Sequence, residues 1–242
     1  MQPVLASGPS LCFLLGLLGA SAHWASAQIV FDSDATIASP MEGDVHIVSR
    51  SSTPTTVDVR QPALFAGNLE VFDTSILNFH GGLVSGNLLA HETSTVNLLD
   101  GFFDDVTSDG AATLNVIGGH FDDLLSAENA SAINIRGGGV DAVKASHDSR
   151  VLITGGFVDG IVTEHSASVL VSGSGFNFPY GSLEPGFGVL TGILANGDPI
   201  NANFNVNGGA IVLVPVPEPS AFFVWAVCAA ASLFRWRRST AS

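Results

Sequence analysis

The sequence predicts an all-β fold, a parallel β-solenoid with coils of about 18 residues, flanked by an N-terminal signal peptide and a short C-terminal transmembrane helix. Two observations predict the solenoid. Short runs of alternating apolar and polar residues recur at nearly constant spacing through the middle of the chain, and most of them are followed by a glycine pair or a single glycine. A third observation predicts the flanks: both ends carry apolar stretches too short and too uniform to belong to the repeat.

Residues 1–27 read as a leader. The run Leu11 to Ala20 has the length of a signal-peptide apolar region, and Ala25 and Ala27 around Ser26 supply the small residues that signal peptidase accepts, exposing Gln28. No Lys or Arg precedes the run, yet an uncleaved anchor would need about 20 helical residues to cross the hydrocarbon layer. Residues 28–56 are rich in Ser, Thr and Asp with two strand candidates, Ile29–Phe31 and Val45–Val48, and are expected to cap the open end that a solenoid must protect.

The repeat occupies 57–214. Taking the first inward residue of each alternating run as the origin, Leu77, Val96, Leu114, Ile133, Val151 and Val169 stand 19, 18, 19, 18 and 18 residues apart. Two places on come Phe79, Leu98, Val116, Ile135, Ile153 and Val171, which share a strand face with the origin because side chains alternate with period two. Five places on stand Gly82, Gly101, Gly119, Gly138 and Gly156, which turn the corner, and seven places on stand Val84, Phe103, Phe121, Val140 and Val158. Position ten carries Val106, Leu124, Val143 and Ile161. Each unit is therefore two or three short strands separated by bends. A unit of this kind cannot bury its apolar face alone, whereas copies stacked about 4.8 Å apart share one core and one hydrogen-bond ladder. Residues 173–203, rich in Gly, Pro and Asn, break the period and are expected to form an irregular segment before Phe204 restores the pattern.

Residues 215–242 contain Pro217-Glu218-Pro219, an apolar run from Ala221 to Phe234, and the bases Arg235, Arg237 and Arg238. The run is short for a spanning helix, but the arginines can snorkel, and positive charge favours a cytoplasmic tail. In order, spacing and position these residues resemble the PEP-CTERM sorting signal of exosortase-processed bacterial surface proteins. The resemblance covers the tail only. It implies a Gram-negative envelope precursor, held at the inner membrane and recognised by an exosortase at Pro217-Glu218-Pro219, then released to the cell surface or extracellular matrix.

Composition agrees with export. The chain carries 22 acids against 8 bases, and outside the tail the only bases are Arg50, Arg60, Arg136, Lys144 and Arg150, so nucleic acid is excluded as a partner. Cys12 lies in the leader and Cys228 in the tail, leaving the body to draw its stability from packing and ladder hydrogen bonds.

Repetition turns outward positions into columns. Asp104, Asp122, Asp141 and Asp159 recur once per coil. Carboxylates about 4.8 Å apart repel unless cations lie between them, which makes them candidate Ca²⁺ ligands; as solvated turn residues they need no ligand. The stretch around Phe121 resembles the Ca²⁺-binding nonapeptide of RTX β-rolls, with Phe121 in place of its third glycine. Glu128, His147 and His165 fall on successive coils and are ligand types suited to Zn²⁺ or Cu²⁺. A third column, Asn78, Asn97, Asn115 and Asn134, forms a polar ladder suited to carbohydrate or ordered water. The chain contains no G-x-S-x-G, H-E-x-x-H, P-loop or dinucleotide fingerprint. The expected function is an exported, structural or adhesive, non-catalytic surface protein, with exopolysaccharide or further copies of itself as partners. One rival is a carbohydrate-active β-helix enzyme, a polysaccharide lyase or hydrolase using paired aspartates. A second is a metal-binding surface protein.

Overall fold

The computed structural model describes residues 28–50 and 52–216, and every regular element within them is a strand. The leader with Ala25 and Ala27, and the tail with Pro217, Glu218, Pro219, Arg235, Arg237 and Arg238, lie outside the described residues.

The path opens with β1 (Ile29–Phe31), β2 (Ala35–Ile37) and β3 (Val45–Ile47). Three coils of three strands follow: β4 (Thr56–Val59), β5 (Leu64–Phe65) and β6 (Leu69–Val71); β7 (Ile76–Phe79), β8 (Leu83–Val84) and β9 (Leu88–Ala90); β10 (Thr95–Leu98), β11 (Phe102–Phe103) and β12 (Val106–Ser108). In the next three the second and third strands run together, giving β13 (Thr113–Val116) with β14 (His120–Ala127), β15 (Ala132–Ile135) with β16 (Gly139–Ala145), and β17 (Arg150–Ile153) with β18 (Phe157–Glu164). The chain closes with β19 (Ser168–Ser174), β20 (Gly181–Ser182), β21 (Gly186–Leu194), β22 (Pro199–Asn207) and β23 (Ala210–Pro215).

These strands stack in parallel as a three-faced solenoid of about seven turns with a spacing of about 19 residues. On the first face Leu77, Val96, Leu114, Ile133, Val151 and Val169 are consecutive register partners, as the spacing predicts. All six are fully buried, as are the residues two places on. The three corners differ. The third has constant length, with six residues from Ala90 to Val96 and from Ala145 to Val151 alike, while the second absorbs the alternation between 18 and 19.

That variation corrects one sequence expectation. The coil beginning at Leu114 carries its extra residue at the second corner, where the register shifts between Phe121 and Leu124. Leu125, not Leu124, is therefore the buried residue, pairing with Val106 below and Val143 above. A bulge of this kind leaves its extra residue unpaired and re-aims the side chains beyond it, after which the ladder resumes.

Glycine is needed at the first corner for two reasons. A Cβ on Gly118 or Gly137 would lie 2.3 Å from the carbonyl oxygen of Leu99 or Ile117 in the preceding coil. The glycine after each, Gly119 or Gly138, takes φ of 96° or 85°, the left-handed region that side chains disfavour. In the coil opened by β4 the pair is replaced by Gln61-Pro62, joined by a cis peptide. Inside that corner the buried rings of Phe65, Phe79, Phe103 and Phe121 form a row with centroids 6.1, 4.9 and 5.0 Å apart, the first two pairs tilted and the last stacked.

Residues 28–56 join the ladder at its N-terminal end. β1 pairs with β3, β2 pairs with β4, and Met41 bridges to Phe65. The stretch 173–203, expected to be irregular, is largely ordered as strand. β21 and β22 form an antiparallel hairpin, and β22 rejoins the parallel ladder on β18. Phe176 and Phe178 from the preceding loop pack against the core end, and between them Asn177 meets the outer edge of β21. Its side chain accepts from Thr191 N–H at 2.8 Å and donates to Val189 O at 2.8 Å, and its own N–H donates to Thr191 O at 3.1 Å.

Candidate functional site

Three polar columns run up the outside of this scaffold, and each follows from register. The first-face column is an amide ladder. Asn78 Nδ2 donates to Asp58 at 2.9 Å, and Asn97, Asn115 and Asn134 each donate to the amide oxygen one coil below at 2.9, 2.9 and 3.0 Å. Identical side chains one ladder step apart reach each other without distortion, so every amide but the last both gives and accepts. The ladder stops where Asn134 meets Leu152, which continues as Leu170 and Val212. At its lower end Asp58 also faces Arg60 at 3.7 Å and His80 at 4.0 Å.

The aspartates stand at the second corner. Asp104, Asp122, Asp141 and Asp159 are all exposed, each directly after the buried residue of its short second-face strand. The bulge after Phe121 sets Asp122 and Asp123 against the single Asp141. His120 Nε2 lies 2.9 Å from Asp122 Oδ1, two residues away on the same outward face. Among the described residues no group of three His, Cys, Asp or Glu is placed to hold a metal ion. The column is thus a solvated row of carboxylates with one imidazole contact, able to attract cations along its length.

The third corner places the histidines. His147 and His165 stack face to face with ring centroids 4.6 Å apart and planes within 6°. Each has positive φ, 60° and 59°, at the same point of its coil as Asp73, Glu92, Gly110 and Asn129. Asn129, not Glu128, is therefore in register below His147. Glu128 belongs to the neighbouring column, where its carboxylate accepts from Ser126 Oγ at 3.3 Å. Parallel rings present their nitrogens side by side rather than toward one point, so the expected trio of Glu128, His147 and His165 does not converge.

One cluster escapes the sequence pattern. Glu70 lies between His46, 3.7 Å from one carboxylate oxygen, and His91, 3.8 Å from the other. Phe72 stacks on His91 at 4.7 Å and tilts against His46 at 5.3 Å, so its ring separates the two imidazoles. The carboxylate bridges two coils on either side of its own. The signal is His46↔Glu70 register, hidden in the sequence because the coil between them is longer than the rest.

One carboxylate has a perturbed acidity. Asp198, in the β21–β22 turn, is held below the ordinary carboxylate value by the Asn196 side-chain amide first and the Gly156 N–H second, outweighing a small opposing effect of burial. The Gly156 bond is 2.7 Å and ties the terminal hairpin to the first corner. No family model matches the chain, and neither a curated protein nor a solved structure matches it.

Proposed function

We propose that the chain is an exported, non-catalytic surface or matrix protein that works by display, presenting ordered polar columns to exopolysaccharide, cations or further copies of itself. The observation that carries this reading is repetition. Asn recurs in register on four successive coils, and Asp stands at the second corner of four, so that a ligand contacting one of these coils meets similar chemistry about 4.8 Å further on. Multivalent weak contacts of this kind add avidity without any single strong site. Most glycoside hydrolases, by contrast, use one pair of carboxylates at a defined separation. Sorting through Pro217-Glu218-Pro219 and the basic tail, with an exosortase as partner and the inner membrane as a way station, belongs to the same proposal and rests on the tail's resemblance.

A graded series tests it. Full-length protein with Asp104, Asp122, Asp141 and Asp159 replaced by Asn one, two and four at a time is assayed for binding to the host's isolated exopolysaccharide, with and without Ca²⁺. Display predicts a stepwise decline. Release of shortened polysaccharide chains, abolished by a single replacement, would instead establish the enzyme. Mass spectrometry of the protein recovered from its envelope tests sorting, and an intact Ser242 terminus would count against exosortase cleavage.

A further inference from the structure

We infer that the first-corner edge of the solenoid is a lipid-facing surface, which lays the rod lengthwise on a bilayer. The exposed apolar residues of the coiled region concentrate there. Leu64, Leu83 and Phe102 are consecutive register partners, and the same column continues through His120 and Gly139 to Phe157. Leu99 and Ile117 stand beside them across the glycine turn. Phe102 is 57 % exposed, Phe157 54 % and Ile117 49 %, while the neighbouring inward positions Phe103, Val158 and Val116 are already filled with buried apolar side chains. Five ladder steps separate Leu64 from Phe157, so the stripe is about 24 Å long.

Charge is distributed to match. In a chain of net charge −14, two of the five bases of the body, Arg60 and Arg136, occupy this edge, and their long side chains can reach phosphate while the apolar residues enter the acyl boundary. The carboxylates nearby are hydrogen-bonded or paired: exposed Asp100 accepts from Gly101 N–H at 2.8 Å, Asp198 accepts from Gly156 N–H at 2.7 Å, and Asp58 faces Arg60 at 3.7 Å. The aspartate column lies two residues further round, about 7 Å away, where it would meet the headgroup layer and disfavour anionic lipid.

The exit of the chain names the occupant. Val216 N–H donates to Gly173 O, and Gly173 pairs with Leu194, while Asn196 N–H donates to Thr154 O at the first corner. The chain therefore leaves along this same edge, next to the exposed Ile193. Five residues later the apolar run 221–234 begins, and five residues span at most about 18 Å. A bilayer that receives that run lies within reach of the stripe; the inference rests on the proposed membrane tail only for bringing that bilayer close.

The test uses full-length protein with Cys12 and Cys228 replaced by Ser, in phosphatidylcholine vesicles carrying quenchers at known depth. Environment-sensitive labels are placed singly at Phe102→Cys or Ile117→Cys on the edge, Thr107→Cys on the third face, and Trp225→Cys in the apolar run. Expected is quenching of both edge labels at about 5–10 Å depth, with Thr107→Cys unquenched. The double replacement Phe102→Asp with Phe157→Asp, outward-facing and checked for a retained β-sheet spectrum, should return the Ile117→Cys label to water. Quenching of Trp225→Cys without the edge labels overturns the inference and leaves the membrane tail standing. Quenched edge labels with an unquenched Trp225→Cys support the edge and sink the tail. No quenching anywhere overturns both, and edge labels shielded without lipid, in a concentration-dependent way, would assign the stripe to a second copy.

Discussion

At the residue scale, the inner side of the third corner is a column of small residues, Ser75, Ser94, Ala112, Ser131, Ser149 and Ala167, linked by successive backbone bonds such as Thr113 N–H to Ser94 O at 2.9 Å and Ser168 N–H to Ser149 O at 3.0 Å. Ser131 donates its hydroxyl to Ser108 O at 2.8 Å, whereas the buried hydroxyls of Ser94 and Ser149 have no partner among the described residues. A hydroxyl removed from water without a replacement bond destabilises, and Ala112 and Ala167 show that alanine fits the same place. Ser149→Ala should therefore raise unfolding free energy by up to about 1 kcal/mol in urea titration, while Ser131→Ala should lower it by a similar amount. Equal effects would mean that the two hydroxyls share one environment.

At the scale of single elements, the amide ladder and the terminal hairpin make separate predictions. Asn97→Ala removes one bond given and one received, at a cost of about 1–2 kcal/mol. Asn134→Leu sits where the ladder already gives way to Leu152, and should change stability by about 0.5 kcal/mol or less. Asp198 makes the hairpin acid-sensitive. Its folded acidity lies below the ordinary 3.8, so its contribution is complete above that value and is lost as pH falls through the lowered folded pKa. Melting temperatures of the wild type and Asp198→Asn should differ most above about pH 4 and converge on further acidification.

The same elements show what the sequence could reveal. Alternation and the glycine spacing fix the first face because Leu77 to Val169 obey one rule, and the structure pairs them in that order. Counting forward from that face fails beyond the second corner, whose length varies; hence Leu124 for Leu125, and Glu128 for Asn129. Counting backward succeeds, since the third corner is constant: Glu92, Gly110, Asn129, His147 and His165 each stand four residues before the next origin. The hairpin of β21 and β22 was hidden for another reason. It pairs antiparallel through a long excursion, and the inward positions of β21 include Gly188 and Gly192 under Phe204 and Phe176, so that strand lacks the apolar alternation of the coils, while β22 keeps it in Ile200, Ala202, Phe204 and Val206.

At the scale of the whole molecule, stability in a solenoid is close to a sum over coils and their nearest neighbours. Deleting Ile133–Arg150, 18 residues, joins Ala132 to Val151 and preserves register, because Ala132 pairs with Arg150 and Ile133 with Val151. The shortened protein should keep its β-sheet spectrum and lose about one-seventh of its unfolding free energy, one turn in about seven. Deleting only Ile133–Asp141 would join a first-face strand to the second corner and should abolish folding.

Asn177 gives the rod a finite size. Its amide occupies the positions that an incoming strand would claim on β21, so growth by stacking one molecule on the next is blocked at that end. The described turns, about seven of them, then span about 34 Å, and contacts between copies are directed to their sides rather than through the edge of β21 that Asn177 covers.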